Sequence, residues 1–163
     1  MTKTDKQYAA KFMQGSADIV ELVTGMPVHT GDPCTKDTMY NAGDIYALAA
    51  VTGTLQGTVM IRINKHLAKD VALKRRPFPS LSDDHIYMRD AFGELANLIM
   101  GRIAVLFSEE DKKIAFSDPV IVSGENIHVS QHKCRLWCFP VWVATKDWHR
   151  MRVYVHLDGK AAS

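Results

Sequence analysis

The chain has 163 residues, 47% of them hydrophobic and 23% charged, and its 20 Lys and Arg against 18 Asp and Glu leave a formal charge of +2 at pH 7. A chain of this length buries roughly two thirds of its unfolded surface, enough for a core without disulfides or structural metal, so one domain over residues 1–163 is expected. The composition excludes a disordered or fibrous class, and the small net charge gives no chain-wide attraction to nucleic acid or anionic lipid.

The opening MTKTDKQYAAKFMQ lacks the apolar run of a signal peptide, and no uninterrupted apolar stretch reaches the roughly 20 residues of a bilayer span. A cytoplasmic location without a membrane partner is expected. Cys34, Cys134 and Cys138 are an odd set without a C-x-x-C pair, which predicts reduced, buried thiols.

From about Asp5 to Thr24, Tyr8, Phe12, Ile19, Leu22 and Val23 recur at helical spacing, with Ala9 and Ser16 filling the stripe, and stop at Gly25 and Pro27. Val28–Lys36 suits a short strand. Asp44–Thr52 and Thr58–Ile63 are β-rich runs joined by Gly53-Thr54-Leu55-Gln56-Gly57, which reads as a hairpin. Asn64 suits the N-cap of a helix carrying Leu67, Ala68, Val71 and Leu73, whose basic end Lys74-Arg75-Arg76 complements the helix dipole. Ser82, Asp83 and Asp84 suit the start of a long helix running to about Phe107. Short strands follow at Val120–Val122, Ile127–Val129, Arg135–Ala144 and Arg150–Leu157. Helices bracketing antiparallel hairpins predict an α+β fold, an antiparallel sheet packed against long helices. The last strand, with Tyr154 and His156 on its more polar face, suggests an unpaired edge open to a sheet-extending homodimer.

The long helix is the informative segment. At 100° per residue, Met88, Phe92, Leu95, Ile99, Ile103 and Leu106 share one stripe, while Asp90, Glu94, Asn97 and Gly101 fall on nearly the opposite face. Glu94 and Asn97 are neighbours on that face, and Gly101, one turn on, has no side chain to fend off an approaching surface. A carboxylate can pair with a partner's Lys, and a carboxamide can hold a water without being consumed as a base. Gly93 and Gly101 add weight, because a glycine inside a helix costs about 1 kcal/mol against alanine and needs a packing or access reason.

Other constellations are weaker. His128, His132, Cys134 and Cys138 have borderline metal-ligand character, but on one strand the two cysteines stand about 13 Å apart, too far to share an ion, so no metal site is expected. Lys74-Arg75-Arg76 beside Phe78, with Trp137, Trp142 and Trp148, offers basic and stacking groups. A helix C-terminus and core or interface tryptophans explain the same residues, and no nucleic-acid partner is expected. No G-x-x-x-x-G-K-[ST] or G-x-S-x-G occurs.

Asp90-x-x-x-Glu94-x-x-Asn97, continuing Leu98-Ile99-x-Gly101, resembles the active-site helix of the CheX/CheC/FliY phosphatases, which remove phosphate from the aspartyl-phosphate of CheY-type response regulators. Phe12-x-x-Gly15-x-x-x-Ile19-x-x-x-x-Thr24-Gly25 is similar to that family's first helix. Val51-Thr52-Gly53-x-x-x-Gly57-x-Val59 resembles its G-x-x-x-G turn, and Ser117-Asp118-Pro119-x-Ile121-x-x-Gly124 the stretch after the catalytic helix. One Glu-x-x-Asn helix is similar to CheX, whereas typical CheC proteins carry two. The resemblance implies a CheC-like fold, a homodimer, and a phosphorylated CheY-like receiver domain as partner. In that scheme Glu94 docks on a receiver Lys, Asn97 positions the attacking water, and Asp90 and Gly101 support the site. It also implies no cofactor bound by this chain, with Mg2+ on the partner response regulator. A non-catalytic module that binds a receiver through the same helix is the alternative. Pro77, Pro79, the Lys74-Arg75-Arg76 run and the Cys/Trp-rich strand 134–142 lie outside the family pattern.

The near-zero net charge is a sum of opposites. Residues 65–76 carry five basic side chains against Asp70, net +4, and residues 82–99 carry Asp83, Asp84, Asp90 and Glu94 against Arg89, net −3. A locally acidic helix suits a partner that brings a lysine.

Overall fold

Among the described residues three helices cover one face of an antiparallel sheet, whose strands place alternate side chains toward the helices. The computed structural model describes residues 3–36, 38–41, 44–75, 84–130, 136–143 and 150–158. The helices are α1 (Lys3–Thr24), α2 (Lys65–Arg75) and α3 (Asp84–Ser108). The strands are β1 (Val28–Thr30), β2 (Cys34–Lys36), β3 (Thr38–Asn41), β4 (Ile45–Gly53), β5 (Gly57–Ile63), β6 (Ile114–Phe116), β7 (Val120–Ser123), β8 (Ile127–Ser130), β9 (Leu136–Val143) and β10 (Arg150–Leu157).

The main sheet runs β1-β9-β10-β5-β4-β6, with β2 pairing the other half of β9 and β7 the other half of β4. All its pairings are antiparallel. β3 and β8 form a separate two-stranded ribbon. Val59, Ile61 and Ile63 of β5 and Met151, Val153 and Val155 of β10 point into the main core with Phe12, Phe92, Leu95, Ile99 and Ile103 from the helices. The opposite face is not simply polar: Tyr46, Met60, Leu136, Cys138 and Tyr154 make a second buried cluster, with Leu48, Val122 and Ile127 packed against it.

This corrects the reading of the last strand. β10 is flanked by β5 on one side and β9 on the other, and Tyr154 is 1% exposed, so no free edge exists there to extend a sheet. The short strands β6 and β3 were not expected. They exist because β4 and β8 supply partners, a nonlocal cause that three or four residues do not announce.

Helix ends follow their expected chemistry. The Gly25 N–H donates to the Glu21 carbonyl at 2.9 Å, and the Asn64 side-chain oxygen accepts from the Leu67 N–H at 3.1 Å, capping α2. Ser82 and Asp83, expected to start α3, lie outside the described residues, as do Arg76, Pro77, Phe78 and Pro79. On α1 the buried line is Ala9, Phe12, Ser16 and Val20. Leu22, two residues past Val20 and so about 200° round the helix, is 76% exposed rather than part of the stripe. The buried Ser16 hydroxyl is satisfied by the Phe12 carbonyl at 2.7 Å.

The G-x-x-x-G turn has a steric cause. A Cβ on Gly53, which has a φ of 102°, would stand 2.3 Å from the Lys113 carbonyl oxygen, and one on Gly57 would stand 1.9 Å from that of His156. Backbone passes where a side chain would be. The Thr54 N–H donates to the same Lys113 oxygen at 2.8 Å, fastening the turn to the start of β6.

Candidate active site

α3 is apolar because it is central. It packs against both α1 and α2, and Met88, Ala91, Phe92, Leu95, Ala96, Ile99, Met100, Ile103 and Phe107 are buried. Ile86–Ser108 is long and apolar enough to cross a membrane by length and composition, and 44% of its most apolar stretch is buried inside the structure. Leu106, expected on the stripe, is half-buried at its edge.

The remaining face carries the candidate residues. Asp90, Glu94, Asn97 and Gly101 are all exposed and lie along the side of α3 away from Phe92, Leu95 and Ile99. The helical register therefore brings the four together on one accessible ridge, with Glu94 and Asn97 one turn apart at its middle. That ridge is less polar than its acidic and amide groups suggest. Ile86, Leu98 and Val105 are 53%, 52% and 49% exposed, leaving aliphatic surface at both ends and along one side of the pair.

Internal packing demands neither helix glycine. A Cβ on Gly93 would meet only the Ile121 side chain, at 3.8 and 3.9 Å, and one on Gly101 would meet nothing within 4 Å. Ile121 belongs to β7, so that edge strand borders the ridge. Ser117 makes its placement possible: Ala50 lies between the part of β4 paired with β6 and the part paired with β7, and there the Ser117 hydroxyl accepts from the Ala50 N–H at 2.9 Å while the Ser117 N–H donates to the Ala50 carbonyl at 3.0 Å. Just beyond Gly101, Arg102 Nε donates to Asp18 Oδ2 of α1 at 2.9 Å, and Gln14 Nε2 donates to Asp18 Oδ1 at 2.5 Å. This half-exposed pair orients α3 against α1 and is worth at most about 1 kcal/mol.

Among the described residues no group of three or more His, Cys, Asp or Glu is placed to hold a metal ion. Two members of the His/Cys constellation, His132 and Cys134, lie outside the described residues. Cys138 is buried, but Cys34 is exposed, contrary to the expectation of buried thiols. An edge strand leaves it uncovered. Trp137 packs against the core and Trp142 is 40% exposed, while Trp148 lies outside the described residues.

No curated protein sequence matches the chain. Its fold is similar to that of chemotaxis protein CheX from Desulfovibrio desulfuricans, with a TM-score of 0.79 and 21% identity over 93% of this chain and 99% of that one. A CheC-like superfamily protein from Shewanella sp. PV-4 is similar at a TM-score of 0.77 and 18% identity, over 98% of this chain and 100% of that one. CheX in the CheX–CheY–BeF3–Mg2+ complex from Borrelia burgdorferi is similar at 0.75 and 15%, over 92% and 97%. The α+β fold is thus the CheC-like one. The family model of the chemotaxis phosphatase CheX matches residues 45–141, a span that runs from β4 through α3 into β9 and includes Asp90, Glu94, Asn97 and Gly101. The chain belongs to the chemotaxis phosphatase CheX family.

Proposed function

We propose that this protein hydrolyses the aspartyl-phosphate of a CheY-like receiver domain in the cytoplasm, using the outward ridge of α3. The carrying observation is that Glu94 and Asn97 stand one turn apart on the exposed side of a helix whose other side is core, within the span matched by the CheX family model. The CheX–CheY complex known for the Borrelia relative supports a receiver as partner.

In this reading the Glu94 carboxylate pairs with a lysine of the receiver and fixes the approach. The Asn97 carboxamide enters the receiver's site and orients a water for in-line attack on phosphorus. The new bond is water oxygen to phosphorus; the bond that breaks joins phosphorus to the receiver's aspartyl oxygen, so orthophosphate leaves and a free carboxylate remains. Positioning dominates such a reaction, because phosphoryl transfer asks little covalent chemistry of the accessory residue. Mg2+ is assigned to the receiver and supplies charge neutralisation there. Asp90 adds negative potential beside Glu94, and Gly101 with Leu98 and Val105 gives a low, partly apolar surface for contact. A homodimer remains part of the proposal on the family resemblance, and sedimentation at micromolar concentration tests it: a monomer there removes it.

The enzymatic reading is tested by phosphorylating candidate receivers with a small phosphodonor and following loss of phosphate with and without this protein. A shortened phosphoreceiver lifetime is expected. Binding to the phosphorylated receiver with no change in its lifetime would replace catalysis by a receiver-binding role.

A further inference from the structure

We infer that Cys34 and Cys138 are a cross-strand dithiol that closes to a disulfide by exchange with a small disulfide of the glutathione type. β2 pairs with β9 antiparallel, and the register sets Cys34 directly opposite Cys138. Directly opposed residues in an antiparallel pair have Cα atoms about 4.5 to 5.5 Å apart and side chains on the same face, within the roughly 4.4–6.8 Å that a disulfide spans. The same face carries the row Cys138, Tyr154, Met60 and Leu48 across β9, β10, β5 and β4, so Cys34 sits at the outer end of the second buried cluster.

The two thiols differ in a useful way. Cys34 is exposed on a three-residue edge strand whose sheet partner is β9, and Cys138 is buried within the sheet. Cys34 is therefore the thiol that meets a soluble oxidant. Its thiolate attacks one sulfur of glutathione disulfide, forming a mixed disulfide and expelling one glutathione thiolate. The Cys138 thiolate then attacks the Cys34 sulfur and expels the second. Both cysteine protons end on the two released glutathiones, so one disulfide is made and one reduced. The product fastens the edge strand β2 to the interior of the sheet, on the face away from α3.

The experiment equilibrates the full chain and its Cys134→Ser variant in glutathione buffers of increasing oxidised fraction, quenches with an alkylating reagent, and reads intact mass and cross-linked peptides. In the Cys134→Ser chain the expected product has lost two hydrogens and joins the Cys34 and Cys138 peptides. Both thiols become unreactive, a reductant restores them, and hydrogen exchange of the β2 amides slows. Cys34→Ser, a change at an exposed position that leaves the fold intact, abolishes the internal disulfide. Cys138→Ala instead accumulates glutathione on Cys34. Glutathione held on Cys34 with Cys138 still free in the Cys134→Ser chain overturns the proposal. So does an internal disulfide that persists in Cys138→Ala through Cys134.

Discussion

Gly15 of α1 lies so close against Ile103 of α3 that a Cβ at position 15 would stand 2.6 Å from Ile103 Cγ1 and 3.2 Å from its backbone nitrogen. The two helices come together where one has no side chain, at Ile103 on the buried side of α3, opposite the side that carries Glu94 and Asn97. Gly15→Ala relieves about 1 kcal/mol of helix-propensity cost but must displace Ile103 or part the helices, an overpacking cost of about 1–3 kcal/mol. A net loss of stability is expected, read as a lower denaturant midpoint with an unchanged slope.

Gly101→Ala should behave oppositely. Nothing within 4 Å opposes a methyl group there, so the substitution is expected to stabilise the protein by about 1 kcal/mol. If the ridge is where the receiver lands, the same methyl group weakens receiver binding. Raised stability with weakened receiver affinity, measured on one preparation by melting and by titration, is the predicted pair. Raised stability with unchanged affinity would remove Gly101 from the contact surface.

Alkaline pH should destabilise the second cluster. Burial pushes the Tyr154 phenol above its ordinary value of 10.0, with nearby Cys138 adding to the shift and Arg62 opposing it. A raised folded-state value means the contribution is fully present below the unfolded phenol's pKa and is lost as pH rises through the folded one. Stability is therefore expected to fall from about pH 10 upward, and Tyr154→Phe should flatten that fall. Denaturant titrations on either side of pH 10 check it. An equally steep decline in the variant would place the cause elsewhere.

What the sequence made legible was whatever repeats locally. The stripe of α3 and its opposite ridge follow from helical period, which by itself places Asp90, Glu94, Asn97 and Gly101 on one face. The alternation in β10, with Met151, Val153 and Val155 on one side, likewise marks that strand's core face. Pairing is nonlocal and was not legible: β10 read as an edge although β5 and β9 enclose it, and Ile114–Phe116 is a strand only because β4 lies beside it. The Gly53 and Gly57 spacing was recognised as a pattern, but its cause, the carbonyls of Lys113 and His156, comes from residues far along the chain. Cys34 facing Cys138 is a consequence of the same long-range register.

The division of labour between Glu94 and Asn97 is the central claim, and receiver dephosphorylation by the two single variants tests it most directly. Asn97→Ala should lose about a hundredfold or more in kcat while binding the phosphorylated receiver as wild type does, because the water is no longer positioned. Glu94→Ala should bind the receiver about tenfold more weakly, because the docking charge is gone. Asn97→Ala with wild-type turnover would contradict the account.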